Sequence, residues 1–346
     1  MQSTHHDIPR AIPTTMEAIT QSSYTSPHQL RLTTVATPSP GPGQVLVEVA
    51  AAGIDQGVWH LVTGRPYVVR LAGYGIRKPR QSIPGFDLSG RVVAVGSDVA
   101  AFDVGDRVFG IGIATFAQYA VAETAKLSRV PDGITDEQAA VAAISGGAAL
   151  QAVDDVAGVQ PDMRVLVIGA SGGVGSYAVQ LAVARGATVT GVASAAKADL
   201  VRDLGADHVI AYDRDSLDSE GVEYDVVLSI GGLAPVRTLR RLLTPTGTLV
   251  IVGAEGGSSI TGGLGRQLRA VLWSPFVGQR MTTFIAREHR DVVDRLADDL
   301  ASGAVVPAIG HTVGLAEVPD TIGALRAGRL RGKAVVQIGA GGVRSR

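Results

Sequence analysis

The stretch Val165-Leu-Val-Ile-Gly-Ala-Ser-Gly-Gly-Val-Gly175 joins an apolar run to a cluster of glycines, and an amphipathic segment from about Tyr177 to Ala184 follows it. Val165–Ile168 reads as a buried parallel strand and the segment after Gly175 as a helix. Strand, glycine turn and helix start together suit a nucleotide pyrophosphate. One glycine permits the tight turn, another lets the backbone approach the phosphates, and the helix N-terminus offers unpaired N–H groups to negative charge. The spacing is Ala-x-Gly-x-x-Gly rather than the full Gly-x-Gly-x-x-Gly, so the flanking strand and helix carry the reading against a plain ligand-free turn. Ser171, Gly172, Gly173, Val174 and Gly175 are the candidate phosphate-binding residues. An NAD-preferring site places an acidic side chain about twenty residues further on, against the ribose 2′-hydroxyl. Here the second strand ends Gly191-Val-Ala-Ser-Ala-Ala-Lys197, with no acid. Ser194 can hydrogen-bond a 2′-phosphate and Lys197 can neutralise it, which points to NADPH. The alternative for Lys197 is an exposed lysine in the first turn of a helix, where the helix dipole disfavours a cation.

The elements around this turn divide the chain in two. From Met16 the pattern is strand-rich: Gln44–Val49, Arg91–Val95, Arg107–Ile111 and Phe116–Val121 read as short strands of a compact β domain. Near Asp136 the character changes to strand–helix alternation, the mark of a parallel sheet. Strands are expected at Val165–Ile168, Thr188–Val192, His208–Ile210, Val226–Ile230, Thr248–Val252 and Thr282–Ile285. Helices are expected near Gln138–Asp155, Tyr177–Ala184, Ala196–Leu204, Val236–Leu243 and Gly263–Leu272. After Glu288 a helix near Arg290–Ser302 and a strand at Ala334–Ile338 are expected to return to the first domain. Gly231, ending the fourth strand, and Val252, Gly253 and Ala254, ending the fifth, lie at strand carboxyl ends, where open α/β sheets collect ligands. The other reading of these glycines is an ordinary turn.

The bulk of the sequence narrows the function class. The chain has 346 residues, 46% hydrophobic and 18% charged, with a formal net charge of −1. That balance offers nothing to nucleic acid or an anionic membrane surface, and 4% aromatic content argues against base stacking. No uninterrupted apolar segment is long enough to predict a membrane span. Met1–Thr15 lacks an apolar signal core, so the cytoplasm is the expected compartment. There are no cysteines, which excludes disulfides, thiolate nucleophiles and zinc–thiolate sites.

A second motif lies upstream, Gly85-Phe-Asp-Leu-Ser-Gly90-Arg-Val-Val-Ala-Val-Gly96-Ser-Asp-Val99, followed by Val104-Gly-Asp-Arg-Val108. With the glycine turn, Leu204-Gly-Ala-Asp-His-Val209 and Gly332-Lys333, the chain from about Met16 to Ile338 resembles the medium-chain dehydrogenase/reductase superfamily. Phe86 stands where the zinc alcohol dehydrogenases of that superfamily place a zinc-ligand histidine. The chain therefore looks like the zinc-free quinone oxidoreductase (zeta-crystallin-like) branch. The resemblance implies an α/β fold, a Rossmann doubly wound parallel sheet at 137–288 plus a GroES-like β-rich substrate domain at 1–136 and 289–346. It implies no metal and NADPH-dependent reduction of a small molecule, a quinone, enone or other activated alkene. It implies that Tyr212 approaches the 2′-phosphate, that Gly231 and Val252–Ala254 line the nicotinamide and its ribose, and that Asp55 lies near the nicotinamide. A homodimer paired through the sheet edge near Thr282–Ile285 is expected, since relatives pair this strand and an open β edge invites pairing. Relatives often carry a threonine near Ala148 on the nicotinamide side, and this chain does not.

Hydride transfer asks the protein for positioning, polarisation of the acceptor and exclusion of water. Tyr67 and Tyr74 are candidate donors to the acceptor, with His60 a weaker one; as an alternative Trp59, Tyr67 and Tyr74 are wall or core aromatics. Lys333 either reaches a cofactor phosphate from the other domain or is a surface lysine. Arg266, Arg269 and Arg280, around Leu272–Phe276, form either a basic rim for an acidic or thioester substrate or the solvated face of a helix. The same residues also permit metal-free carbonyl or alcohol oxidoreduction, or an NADP(H)-binding protein without turnover.

Overall fold

The computed structural model describes residues 11–218, 221–253 and 258–339. The N-terminal part begins with the hairpin β1 (Thr15–Thr20) and β2 (Arg31–Ala36), then β3 (Gln44–Ile54), α1 (Gln56–Thr63), β4 (Asp87–Val95), β5 (Arg107–Ile111), β6 (Tyr119–Glu123) and β7 (Leu127–Arg129). Next come α2 (Asp136–Ala139) and α3 (Ala143–Leu150), the latter running into a π-helical turn at Gln151–Ala157. The alternating part is β8 (Arg164–Ile168), α4 (Gly173–Ala184), β9 (Thr188–Ala193), α5 (Ala198–Asp203), β10 (His208–Ala211), β11 (Tyr224–Ser229), α6 (Val236–Arg241), β12 (Leu243–Ile251), α7 (Leu264–Trp273) and β13 (Arg280–Thr283). The chain closes with α8 (Arg290–Ala301), β14 (Ile309–Gly314), α9 (Val318–Arg326) and β15 (Lys333–Gln337).

The alternating strands form one six-stranded sheet in the order β10-β9-β8-β11-β12-β13, parallel throughout. Its centre, β8, is apolar at consecutive positions because helices cover both faces. Val165 and Val167 pack with Tyr177 of α4 on one face, and Leu166 and Ile168 pack with Leu239 of α6 and Ala270 of α7 on the other. The strand order reverses between β8, whose continuation runs outward to β9 and β10, and β11. A crevice therefore opens at the carboxyl ends of β8 and β11.

The second sheet has seven strands, in the order β14-β15-β3-β4-β5-β7 with β6 also pairing β3. Its register decides the site. β15 runs antiparallel to β3 with Ala334 opposite Ile54, so Lys333 arrives beside the residue that follows β3, Asp55. The alternation along β3 buries Val45, Val47 and Val49.

Several elements differ from the sequence reading. The helix expected near Gln138–Asp155 is two short helices and a π-helical turn. Close packing accompanies the change: a Cβ on Gly146 would sit 2.9 Å from Leu296 of α8, and the Tyr177 hydroxyl donates to the Val141 carbonyl at 2.9 Å. The strand expected at Thr282–Ile285 ends at Thr283. The helix after Glu288 lies between the two halves: it buries Val292, Val293 and Leu296 in the same core as α4 and β8 and also packs on β7, and the chain rejoins the second sheet at β14, which pairs β15. Arg185 at the end of α4 bridges Asp154 at 3.0 Å and Asp299 at 3.1 Å, pinning α8 to the parallel-sheet side. No helix among the described residues is long and apolar enough to cross a membrane.

Candidate functional site

A cavity of about 730 Å³ occupies the crevice between the two sheets, a volume in the range of small-molecule sites. Its floor is the glycine turn after β8. Gly169 adopts φ +89°, a left-handed conformation that glycine tolerates without strain. A Cβ on Gly175 would lie 2.0 Å from the Gly169 carbonyl oxygen, so only glycine lets α4 start this close to the turn. The N-cap of α4, Gly172, carries no side chain to occupy the first-turn amides, which remain available to an anion. Ser171, Gly172, Gly173 and Val174 line the cavity, whereas Gly175 lies beneath them as a packing glycine.

At one end lie Ser194, Lys197 and Tyr212. Tyr212 is 63% exposed. Lys197 is no free surface lysine: its ammonium donates to the carbonyls of Gly328 at 2.9 Å and Leu330 at 2.7 Å, on the segment between α9 and β15. Burial, and then the nearby Arg331 guanidinium, lower its pKa. Folding also brings in an acid: Asp213 accepts from the Ala195 amide at 2.8 Å. Gly231, Val252 and Gly253 line the middle of the crevice at the carboxyl ends of β11 and β12. Ala254, expected beside them, lies outside the described residues.

At the other end, Asp55 caps α1: its Oδ1 accepts from the Val58 amide at 3.2 Å. Its Oδ2 is buried without a hydrogen-bond partner, and the residue faces the cavity. Tyr67 and Tyr74 are not among the lining residues. Tyr67 is 42% exposed and lies under the Arg70 guanidinium, 4.7 Å from the ring centre. Tyr74 packs edge-on against Phe86 at 6.4 Å. Burial, followed by the charges of Asp55 and Glu288, pushes its phenol up to about 12. Trp59 packs on the β-domain core beneath the Arg326 guanidinium at 4.2 Å. Arg266 donates to the carbonyls of Gly232 at 3.2 Å and Ala234 at 3.4 Å, both on the cavity wall. The Arg280 guanidinium donates to the Val156 carbonyl at 3.0 Å.

The surface reading of Lys333 is overturned. Lys333 is 2% exposed, and its ammonium donates to Ser145 Oγ at 2.9 Å and stands 3.9 Å from Asp87 Oδ2. Asp87 is fully buried, and its Oδ1 accepts from the Ile144 amide at 2.8 Å. Burial pushes its carboxyl up to about 7, against the opposing pull of the Lys333 ammonium. Ser145 and Asp87 were not singled out from the sequence. Asp87 sits inside the Gly85 motif, beside Phe86, but nothing local shows that a lysine from β15 meets it. Nothing at Ser145 distinguishes it from any small helical residue.

The cavity fits a dinucleotide: Gly172 and Gly173 leave its floor without side chains, a Cβ on Gly173 would crowd Ser145 and Lys333 of the lining, and the first-turn amides of α4 start there. It does not fit the zinc of the related alcohol dehydrogenases. The chain has no cysteine, and among the described residues no group of three or more His, Cys, Asp or Glu is arranged to hold a metal ion.

Comparison with known proteins agrees with this architecture. The alcohol dehydrogenase GroES-like domain family matches residues 41–132, and a family described as zinc-binding dehydrogenase matches residues 204–336. The chloroplastic quinone-oxidoreductase QR1 of Triphysaria versicolor is 32% identical over 231 residues, spanning 62% of this chain and 68% of that protein. The solved quinone oxidoreductase of Coxiella burnetii superposes with a TM-score of 0.81 at 25% identity, over 94% of this chain and 100% of that one. A mycobacterial protein solved in complex with NADPH superposes with a TM-score of 0.76 at 26% identity, over 93% of this chain and 99% of that one.

Proposed function

The chain belongs to the medium-chain dehydrogenase/reductase superfamily, in its quinone-oxidoreductase branch, and on that footing we propose that it is a zinc-independent, NADPH-dependent reductase of quinones, enones or other activated alkenes. The observation that carries the reading is the continuity of one crevice, from Lys197 and Tyr212, past the glycine turn, to Asp55. When bound, the cofactor supplies a hydride. The protein's part is to hold, orient and keep dry.

The amides of the α4 N-terminus take the diphosphate. Ser194, Lys197 and Tyr212 take the 2′-phosphate, with the Arg331 charge adding to that of Lys197 and Asp213 opposing it. Gly231, Val252 and Gly253 let the ligand approach the strand ends closely. Asp55 presents a free acceptor oxygen, so as a carboxylate it holds a donor group of the ligand rather than stabilising negative charge on a reduced carbonyl. Tyr74 packs on Phe86, and with its phenol held protonated by burial and by the Asp55 charge it is a poor proton donor at neutral pH. The exposed apolar edge beyond β13 supports a homodimer.

The test is oxidation of NADPH and of NADH against quinones, enones, enoyl thioesters and aldehydes, with and without a chelator. Turnover of quinones or enones with NADPH, insensitive to chelation, is expected. Turnover confined to aldehydes moves the assignment to carbonyl reduction. NADPH binding without turnover of any acceptor moves it to a binding protein.

A further inference from the structure

We infer that Ser145 donates a hydrogen bond to the diphosphate of the bound dinucleotide, and that Lys333, anchored on Asp87, is the positioning residue that fixes this donor. The inference rests on the reading of the crevice as a dinucleotide site. An ammonium only donates, so in the 2.9 Å contact between Lys333 Nζ and Ser145 Oγ the hydroxyl oxygen is the acceptor. The hydroxyl hydrogen must then go elsewhere, and none of the described residues accepts it. Ser145 is 2% exposed yet lines the crevice. Its Oγ lies 3.1 Å from where a Cβ on Gly173 would stand. Gly173 opens the 12-residue helix α4, so the orphaned hydrogen is released beside the first-turn amides, where an anion is best held.

Lys333 borders the same point, its Cδ 3.4 Å from that Cβ position. Lys333 also borders the crevice, and its bond to Ser145 holds the hydroxyl in place and polarises it. Asp87 holds both partners. One oxygen takes the Ile144 amide, next to Ser145, and the other faces the ammonium without a hydrogen-bond partner. A carboxyl group there gives the buried ammonium a polar neighbour, and an opposite charge when it is ionised.

The experiment is calorimetric titration of wild type and Ser145→Ala with ADP-ribose, which has the diphosphate but neither nicotinamide nor 2′-phosphate, and with NADPH. Both ligands are expected to weaken by the same factor, about tenfold for a hydrogen bond to a charged group, with the unliganded melting temperature little changed. A loss for NADPH alone places the hydroxyl at the nicotinamide or the 2′-phosphate and overturns the inference, as does no loss for either ligand. If wild type binds neither, the dinucleotide reading itself falls. The positioning role is tested with Lys333→Met combined with Asp87→Asn, which removes both buried charges and so avoids stranding one. This pair of changes should weaken ADP-ribose in the wild-type background and add nothing in Ser145→Ala. A fully additive loss overturns the positioning role. The Ser145→Ala titrations decide the donor whether or not the buried pair tolerates replacement.

Discussion

Lys197 has two possible claims on it, and they predict different variants. Its ammonium is shared between the Gly328 and Leu330 carbonyls, and it lines the crevice where the 2′-phosphate is proposed to lie. If the phosphate is its main partner, Lys197→Ala weakens NADPH by about tenfold or more, the scale of a hydrogen bond to a charged group, and hardly changes NADH. Fluorescence titration with both cofactors reads this directly; equal losses would mean that the lysine acts by tying α5 to the segment before β15. Asp87 makes a separate prediction about pH. Burial raises its folded-state pKa to about 7 from an ordinary value of 3.8, so the folded state keeps a proton that the unfolded chain releases. The resulting stabilisation is complete below the unfolded pKa and is lost as pH rises through about 7. The difference in melting temperature between wild type and Asp87→Asn should therefore move against wild type as pH increases across that window. A pH-independent difference would remove Asp87 as the titrating group.

At the scale of elements, the close approach of the glycine turn to α4 is the sharpest constraint. A Cβ at Gly175 would come within 2.0 Å of the Gly169 carbonyl oxygen, a backbone atom that cannot swing away. Gly175→Ala should cost about 1–3 kcal/mol in denaturant unfolding, the usual range for overpacking. It should also weaken ADP-ribose and NADPH together, because moving α4 moves the anion-binding amides. Unchanged stability would mean that the turn is looser than its geometry requires. The helical pair α3 and α8 shows the same close-packing logic without a ligand, since Gly146 abuts Leu296 and Tyr177.

At the scale of the whole molecule, the parallel sheet ends at β13 with an open edge. Beyond it Ile285 is 94% exposed and Phe276 86% exposed, and on α7 Leu272 is 68% exposed. Large exposed apolar side chains on the segments flanking an unpaired edge strand favour association with a second copy. Sedimentation at micromolar concentration should show a dimer, and Ile285→Asp should shift it toward monomer without loss of dinucleotide binding. A monomeric wild type would leave this edge unexplained by self-association. The two halves of the chain also meet where the Tyr67 and Val68 amides donate to the Ser259 and Ile260 carbonyls at 2.9 and 3.0 Å. Tyr67 is therefore placed by its backbone to join the two halves, while its side chain faces Arg70.

The sequence by itself determined the fold class, because its signals are local. The apolar run at Val165–Ile168, the alternation along Gln44–Val49 and the glycines at 169–175 each express within one short window the burial or backbone freedom that the element needs. The same locality makes the lack of an acid in 191–197 and the lack of cysteine legible. Only the tertiary structure decided what the polar residues meet. Lys333 and Ser145 are 188 positions apart, and their bond exists because the β15–β3 register sets Ala334 against Ile54 while α3 packs under the start of α4. Asp213 reaches the Ala195 amide because β10 lies beside β9. Tyr67 and Tyr74 are candidate donors by sequence position, and only the fold sets the Tyr67 ring against Arg70 and the Tyr74 ring against Phe86, outside the crevice lining. A side chain's partner depends on which distant segment lies opposite, and burial then sets the cost of leaving it unpaired; neither quantity is contained in the residues beside it.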